Sequence, residues 1–132
     1  MSTPKFPSLE WFRALAERLN ADDEFRELAR WATARIGFSV TGRPTFVLSL
    51  AAGRVTTVEE GEGLTGVDYA IEGPPEGWDV FFDERGCLPL AINPMHGRLR
   101  LRGNLVLAAG DNWTLSNIVR RFRFVSGPGV AA

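Results

Sequence analysis

The sequence predicts a single α+β domain with five strands and with helices near both ends of the chain. Apolar residues recur at intervals of three and four near the termini, whereas they alternate with polar residues through much of the middle. The 132 residues are 45% apolar and 23% charged, which is typical of a globular protein with its own core. We expect one domain over residues 1–132, with its core at about residues 8–124 and a C-terminal tail at residues 125–132.

Two amphipathic helices are predicted at the N-terminus. Ser8 is placed to cap the first, LEWFRALAERLN, in which Phe12, Ala16 and Leu19 fall on one apolar side. Asp22 is placed to cap the second, EFRELARWA, whose apolar residues also share a stripe.

The apolar period then changes to two. Alternation over residues 34–40 predicts a first strand, and the runs at residues 45–50 and 54–58 predict an antiparallel hairpin with a short loop. A fourth strand is predicted at residues 67–72, after a polar, glycine-rich loop.

A short helix is predicted after the fourth strand. Pro74 and Pro75 favour a helix start, and Trp78, Phe81 and Phe82 supply its apolar side before Gly86 ends it.

The remaining chain holds an apolar link, a fifth strand and a last helix. Two prolines interrupt the link and keep any helix there short. At residues 98–102 the leucines face one side of a strand and the arginines the other, while residues 104–110 are apolar and of undetermined type. Asp111 or Asn112 is placed to cap a final helix, WTLSNIVRRFRF, whose apolar stripe lies opposite Arg120, Arg121 and Arg123.

Four segments, taken in order, resemble the sterol carrier protein 2 family of lipid-binding domains. They are SLEWFRALAERLNADDEFRELA, FVLSLAAGRVTTV, DYAIEGPPEGW and MHGRLRLRGN, and the resemblance spans residues 9–124. It implies a five-stranded, mostly antiparallel sheet covered by helices, with an apolar ligand between sheet and helices. The link departs from the family pattern at Cys87, Pro89, Asn93 and Pro94, and the end GVAA lacks the peroxisomal signal Ser-Lys-Leu, so a bacterial-type single-domain member is expected.

The predicted ligand is one hydrophobic or amphipathic small molecule, such as a fatty acid, an acyl-CoA or a sterol-like or terpenoid lipid. The same apolar stripes would equally form an ordinary core, and the resemblance favours the lipid cavity. The candidate lining residues are the large apolar side chains of the predicted helices, strands and link: Phe46, Leu48, Trp78, Phe81, Phe82, Leu90, Ile92, Met95, Leu115, Ile118, Val119 and Phe122.

Two other classes of function remain open from the residues alone. One is a small enzyme acting on a hydrophobic substrate with His96 or a cavity carboxylate as acid or base, and the other is an interaction domain whose apolar interior is only core. We predict no catalytic residue, because His96 has no acidic neighbour and Cys87 as a nucleophile would need to meet it across two prolines. The acidic candidates are expected on outer faces: Asp68, Glu72, Asp79 and Asp83.

Composition argues against cofactors and several partners. One cysteine and one histidine make a metal site improbable, and no phosphate-binding loop or dinucleotide fingerprint occurs, so no metal and no cofactor are expected. The net charge of −1 argues against a nucleic-acid partner. No apolar run is long enough for stable membrane insertion and the N-terminus does not resemble a signal peptide, which favours the cytoplasm, while the oligomeric state stays undetermined.

The charges are segregated along the chain. Residues 55–84 hold nine acids and no base, whereas residues 98–123 hold six arginines and one acid. In the sheet order of the family the fourth and fifth strands are neighbours, so we expect Asp68 and Glu72 to face Arg98, Arg100 and Arg102. This pairing makes the arginine row structural rather than a strip for nucleic acid or anionic membrane.

Overall fold

Five strands form one sheet in the order β3-β2-β1-β4-β5 in the computed structural model, which describes residues 4–61, 63, 65–83, 86–95 and 97–125. Their bounds are β1 Ala34–Val40, β2 Thr45–Ala51, β3 Arg54–Gly61, β4 Tyr69–Gly73 and β5 Arg100–Gly103. β1 and β4 pair in parallel and the other three pairs are antiparallel, so the predicted mostly antiparallel α+β sheet is confirmed.

Seven helices lie around this sheet in the described part of the chain. Their bounds are α1 Leu9–Ala21, α2 Asp23–Leu28, α3 Pro75–Trp78, α4 Leu88–Ala91, α5 Leu105–Gly110, α6 Asn112–Arg120 and α7 Phe122–Val125, and a 3₁₀ turn, Asp79–Phe82, continues α3. Within those described ranges, none of the helices combines the length and the apolar character needed to cross a bilayer.

The predicted N-caps of the first two helices are confirmed, whereas Asp111 precedes α6 without forming a side-chain cap hydrogen bond. The Ser8 hydroxyl accepts the Trp11 N–H at 3.1 Å, and Asp22 Oδ1 accepts the Phe25 N–H at 2.9 Å. Each side chain thereby satisfies one of the N–H groups that the first turn of a helix leaves unpaired. The Asn104 side chain does the same for α5. The stretch at residues 104–110, whose type is undetermined from sequence, is therefore helical.

A two-residue turn joins β2 to β3. Ala52 and Gly53 both have positive φ, 51° and 81°, as the turn that best matches the twist of a hairpin requires. A Cβ at Gly53 would lie 2.9 Å from the Ala29 carbonyl carbon, so this position also needs a glycine for lack of space.

Several bounds differ from the predicted ones. β3 continues to Gly61 because β2 offers it partners as far as Thr45, although its outer residues lack an apolar pattern. The last helix is interrupted at Arg121, where one helix ends and α7 begins. Periodicity detects neither change, because both depend on what lies beside the segment.

The sheet register places apolar side chains toward the helices. Ile71, Phe38 and Phe46 are aligned across β4, β1 and β2, and all three are at most 1% exposed. Leu99 is also buried and Leu101 half-buried, which confirms the predicted inward direction of the leucines near β5.

The position of Arg121 differs from the predicted one. Helical periodicity predicts it on the polar stripe of the last helix with Arg120 and Arg123, but it is only 7% exposed. The reason is tertiary: its guanidinium reaches Asp22, 99 residues earlier in the chain, with 2.8 Å between Nε and Oδ2.

Candidate functional site

Aromatic rings fill the layer between the sheet and the helices. Phe122, fully buried at the start of α7, lies at the centre of this layer, and its ring centroid is 4.8 Å from that of Trp11 and 5.5 Å from that of Phe81. Its plane is nearly parallel to that of Trp78, at 6.3 Å. Offset and edge-on contacts at such distances stabilise beyond the burial of area alone.

Nine of the twelve predicted lining residues lie in this interior layer. Each is at most 1% exposed, and the nine are Phe46, Leu48, Trp78, Phe81, Phe82, Leu115, Ile118, Val119 and Phe122. The other three belong to the link before β5: Ile92 is partly buried against the core, whereas Leu90 and Met95 are 49% and 84% exposed.

Local periodicity places the interior residues. Leu115, Ile118, Val119 and Phe122 follow the spacing of one helix face, which α6 and the start of α7 turn toward the sheet. Phe46 and Leu48, two apart on β2, point to the same side of the sheet.

Sequence reasoning missed several members of the layer. Trp11 and Leu15 are completely buried, and their spacing relative to Phe12 on α1 was a usable signal. Phe6 precedes α1 and has no periodic pattern around it, yet its ring lies 4.7 Å from Trp11 and 5.2 Å from Phe82.

A depression of about 280 Å³ lies beside α4, at the outer edge of this layer. Leu90, Ala91 and Val80 form its apolar wall, and Ala91 itself is buried in the core. Glu76 and Arg98 line it as well, with their charged atoms 3.6 Å apart. The depression therefore lies between exposed apolar surface, at Leu90, and a residue of the core, at Ala91.

A larger groove, of about 550 Å³, runs between α1 and α7. Ala14, Ala21 and Phe124 contribute apolar surface, but Glu17 and Arg18 also line it. The Arg18 guanidinium lies 5.2 Å from the centroid of the half-exposed Phe124 ring. This groove is more polar than the interior layer.

A cluster of polar side chains around Arg121 stabilises the edge of the helix layer. Arg121 donates to Asp22, to the Asn117 carbonyl and to the Asn117 side-chain oxygen, and its guanidinium lies over the Phe25 ring at 5.5 Å. The Arg121 hydrogen bond and the Phe25 N–H hold the pKa of Asp22 below its ordinary value. A buried cation is tolerated here because each of these contacts compensates for lost water.

One titratable side chain reaches the interior from the sheet. The Tyr69 hydroxyl donates to Asp111 Oδ2 at 3.0 Å, and burial together with that carboxylate raises the pKa of Tyr69 far above its usual range. Tyr69 is therefore a neutral hydrogen-bond donor, unsuited to proton transfer near neutral pH.

The acidic candidates for catalysis lie on the outside. Asp68, Asp79 and Asp83 are exposed and Glu72 is half-buried, as expected from sequence. Cys87 is a partly buried free thiol. His96 lies outside the described residues, so the expectation that it does not act together with Cys87 stays a prediction.

The arginine row of β5 is paired in part as predicted. Arg102 Nε donates to Glu72, which lies opposite Arg100 in the register of β4 and β5. Asp68 instead accepts the Arg35 N–H at 2.7 Å, and so the structure differs from the prediction at this carboxylate. Its position just before β4 places it next to β1 rather than on the polar face of the strand.

Solved structures share this architecture. A conserved hypothetical protein from Thermus thermophilus, described as possibly a sterol carrier protein, matches 99% of this chain and 96% of its own, with a TM-score of 0.78 and 21% identity. A crystal structure of sterol carrier protein 2 matches 93% of this chain and 98% of its own, with a TM-score of 0.72 and 20% identity. Sterol carrier protein domain 2 of Helicoverpa armigera matches 87% of both chains, with a TM-score of 0.53 and 19% identity.

The chain has the fold of sterol carrier protein 2, as the order and spacing of its motifs predicted. No protein-family model and no curated protein sequence matches it.

Proposed function

We propose that this protein binds one hydrophobic or amphipathic small molecule between its sheet and its helices and carries it without transforming it. The class is that of a fatty acid, an acyl-CoA or a sterol-like or terpenoid lipid. Two kinds of evidence support the proposal: the shared fold with sterol carrier protein 2, and an interior that is almost wholly apolar.

The composition of the interior carries this proposal. The buried polar or charged residues of the described chain number four, Thr45, Thr114, Asn117 and Arg121, and Arg121 is occupied by Asp22 and Asn117. An apolar chain placed among the remaining side chains gains about 0.8 kcal/mol per buried methylene, so a dozen carbons suffice for useful affinity. The walls recognise apolar surface rather than a hydrogen-bonding pattern, which makes the specificity broad.

The ligand enters, on this proposal, beside α4. Leu90, Ile92 and Met95 supply apolar surface outside the interior layer. The depression at Leu90 and Ala91 adjoins this surface. Because the rings of the layer are in mutual contact, α4 and the packed α6 must move outward when a ligand enters. Side chains that now contact one another then contact the ligand.

Transport rather than catalysis fits the placement of the ionisable groups. The carboxylates of Asp79 and Asp83 point outward, and Tyr69 is held neutral. A cytoplasmic location fits the single thiol, Cys87, which is unpaired and partly buried.

The first test is direct identification of a bound molecule. Protein purified without detergent is analysed by native mass spectrometry and then extracted with organic solvent. We expect a mass adduct that extraction releases as a lipid. Purified protein that carries no adduct, and that neither binds nor releases a fluorescent fatty acid, would overturn the proposal.

A second test uses charges at the wall and at the entrance. We expect Ile118→Asp and Phe82→Asp to abolish displacement of a fluorescent fatty acid by long-chain lipids, because each puts an unpaired charge on the apolar wall. Leu90→Asp, at a half-exposed position that tolerates charge, should weaken binding about tenfold while the protein stays folded.

Trp31→Asp is the matched control for the charge variants. Trp31 is 84% exposed just after α2, away from the interior, and its replacement should leave the affinity unchanged. Equal affinity in wild type, Leu90→Asp and a folded Ile118→Asp would exclude the interior as the binding site.

A further inference from the structure

A helix side chain occupies one edge of the sheet. β3 is an outermost strand, and the backbone groups of Val55 point away from its neighbour β2. The Val55 N–H donates to Asn20 Oδ1 at 2.8 Å, and Asn20 Nδ2 donates to the Val55 carbonyl at 3.0 Å. Asn20 lies in the last turn of α1, 35 residues earlier in the chain. It therefore takes the place beside β3 where a further strand would lie.

These two hydrogen bonds reproduce those of a neighbouring strand. In an antiparallel ladder, alternate pairs of residues exchange two N–H to C=O hydrogen bonds. The side-chain amide of Asn20 offers an acceptor and a donor on one planar group, so it makes both bonds with Val55. A residue of another extended chain would make the same two bonds, and Asn20 excludes such a residue from this position.

The edge carries a second irregularity next to Val55. Thr56 has no partner in the register of β2 and β3, and its hydroxyl donates to the Ser49 carbonyl at 3.2 Å. Such a bulge is a common protection of sheet edges, because unpaired edge groups otherwise bind the strands of other molecules. Asn20 acts more directly than the bulge, since it satisfies the exposed backbone groups themselves.

The charges of β3 favour a second copy of the same strand in the antiparallel direction. Arg54 begins the strand and Glu59 and Glu60 lie near its end, and all three are exposed. Glu59 pairs with Arg35 at 3.2 Å, whereas Arg54 and Glu60 form no ion pair with another residue that the structure describes. Two antiparallel copies bring Arg54 of each toward the acidic end of the other, whereas two parallel copies bring like charges together.

We propose that the β3 edge is a strand-docking site for a second copy of this chain and that Asn20 keeps the site closed. When the end of α1 moves away, the free groups of Val55 pair with β3 of another molecule, and the two sheets become continuous. The partner strand then supplies the hydrogen bonds that Asn20 gave, so few bonds are lost in the exchange. The site lies outside the interior layer, and the proposal holds whether or not the interior binds a ligand.

Asn20→Ala opens the edge and adds no group that closes it again. In sedimentation velocity we expect no pairing through β3 in wild type, and a dimer in the variant whose share rises with concentration. Hydrogen exchange of the Val55 amide identifies the surface. In the variant it should be fast in dilute solution and slow about tenfold when nine-tenths of the chains are paired, because only unpaired chains exchange. In wild type the exchange should stay slow at every concentration.

Three further variants serve as controls. Leu99→Ala removes a buried side chain beside β5, at the other edge of the sheet, and should destabilise the fold without producing the dimer. Arg54→Glu added to Asn20→Ala makes both ends of the strand acidic and should weaken the dimer by about tenfold or more. If Asn20→Ala does not fold, Asn20→Asp keeps the acceptor for the Val55 N–H, frees only the carbonyl and should still associate more than wild type.

Four results would overturn the proposal. One is a folded Asn20→Ala that stays monomeric at all concentrations, and another is equal association of Leu99→Ala. A dimer in which the Val55 amide still exchanges fast would place the contact on another surface. A dimer that Arg54→Glu does not weaken would exclude the antiparallel pair of β3 strands. Fatty-acid displacement on the same variants reports on the interior site separately.

Discussion

The two faces of the sheet are built from the same strands but stabilised in different ways. On the covered face, Ile71, Phe38 and Phe46 form one row across three strands and are buried under aromatic rings. On the opposite face, which we call the open face, the neighbouring row begins with Arg100, which is exposed, and Glu72, which is half-buried. One residue along a strand separates the two environments.

The difference shows where the stability of this fold resides. Removing large buried side chains costs several kcal/mol, because the lost contacts and the cavity add. Exposed ion pairs contribute about 0–1 kcal/mol, because water screens them and long side chains lose entropy on pairing. A substitution on the covered face should therefore lower the free energy of unfolding several-fold more than a substitution on the open face.

The largest effect is expected from Phe122→Ala. Phe122 contacts rings from α1, from β1 and from the 3₁₀ turn, so its loss should lower the free energy of unfolding by about 3–5 kcal/mol. Urea denaturation measures this, and Phe122→Leu, which refills most of the volume, should lose clearly less. A loss under about 1 kcal/mol would mean that the layer is loosely packed.

The next largest effect is expected from Arg121→Ala, which removes a buried charged side chain from the helix layer. It leaves Asp22 and Asn117 without their partner, and since Asp22 is partly exposed we expect a cost of about 2–3 kcal/mol. Its exposed neighbour supplies the control, because Arg120→Ala should change the stability by less than about 0.5 kcal/mol. Equal effects of the two replacements would show that the buried pair contributes nothing.

Acid denaturation should depend on Asp22. Its pKa is lowered in the folded protein, so its contribution is complete above the ordinary carboxyl pKa of about 4 and disappears as the pH falls through the lowered value. Asp22→Asn keeps an oxygen for the helix cap but cannot ionise, so the stability difference between wild type and variant should shrink as the pH is lowered. A difference that stays constant between about pH 6 and about pH 2 would contradict the assigned cause.

The smallest effect is expected on the open face. Arg98, Arg100 and Arg102 replaced together by Gln should lower the free energy of unfolding by about 1 kcal/mol or less, because among the described residues only Arg98 and Arg102 form ion pairs and both of these arginines are exposed. Thermal denaturation measures the change, and the double replacement Arg100→Gln and Arg102→Gln, which leaves the lining of the depression beside α4 intact, should not affect fatty-acid affinity. A loss of several kcal/mol would show that the open face shares in the stability assigned to the covered one.

Predictions from sequence succeeded where the determining interactions are local. The caps at Ser8 and Asp22 depend on residues three positions away, and the inward leucines near β5 depend on alternation. Nine of the twelve proposed lining residues were recognised as interior for the same reason. Leu90 and Met95 were grouped with them because composition alone does not reveal which side of a short link faces the core.

The sequence by itself determined the type and order of the strands and main helices, because helical and strand periodicity depends on residues that are close together in the chain. Tertiary structure alone decided that Arg121 is buried, that Phe6 joins the aromatic layer and that β1 and β4 run parallel. Each of these depends on a partner far along the chain, such as Asp22 for Arg121. Their free energy comes from contacts that exist only once the sheet and helices have assembled, and no local pattern records it.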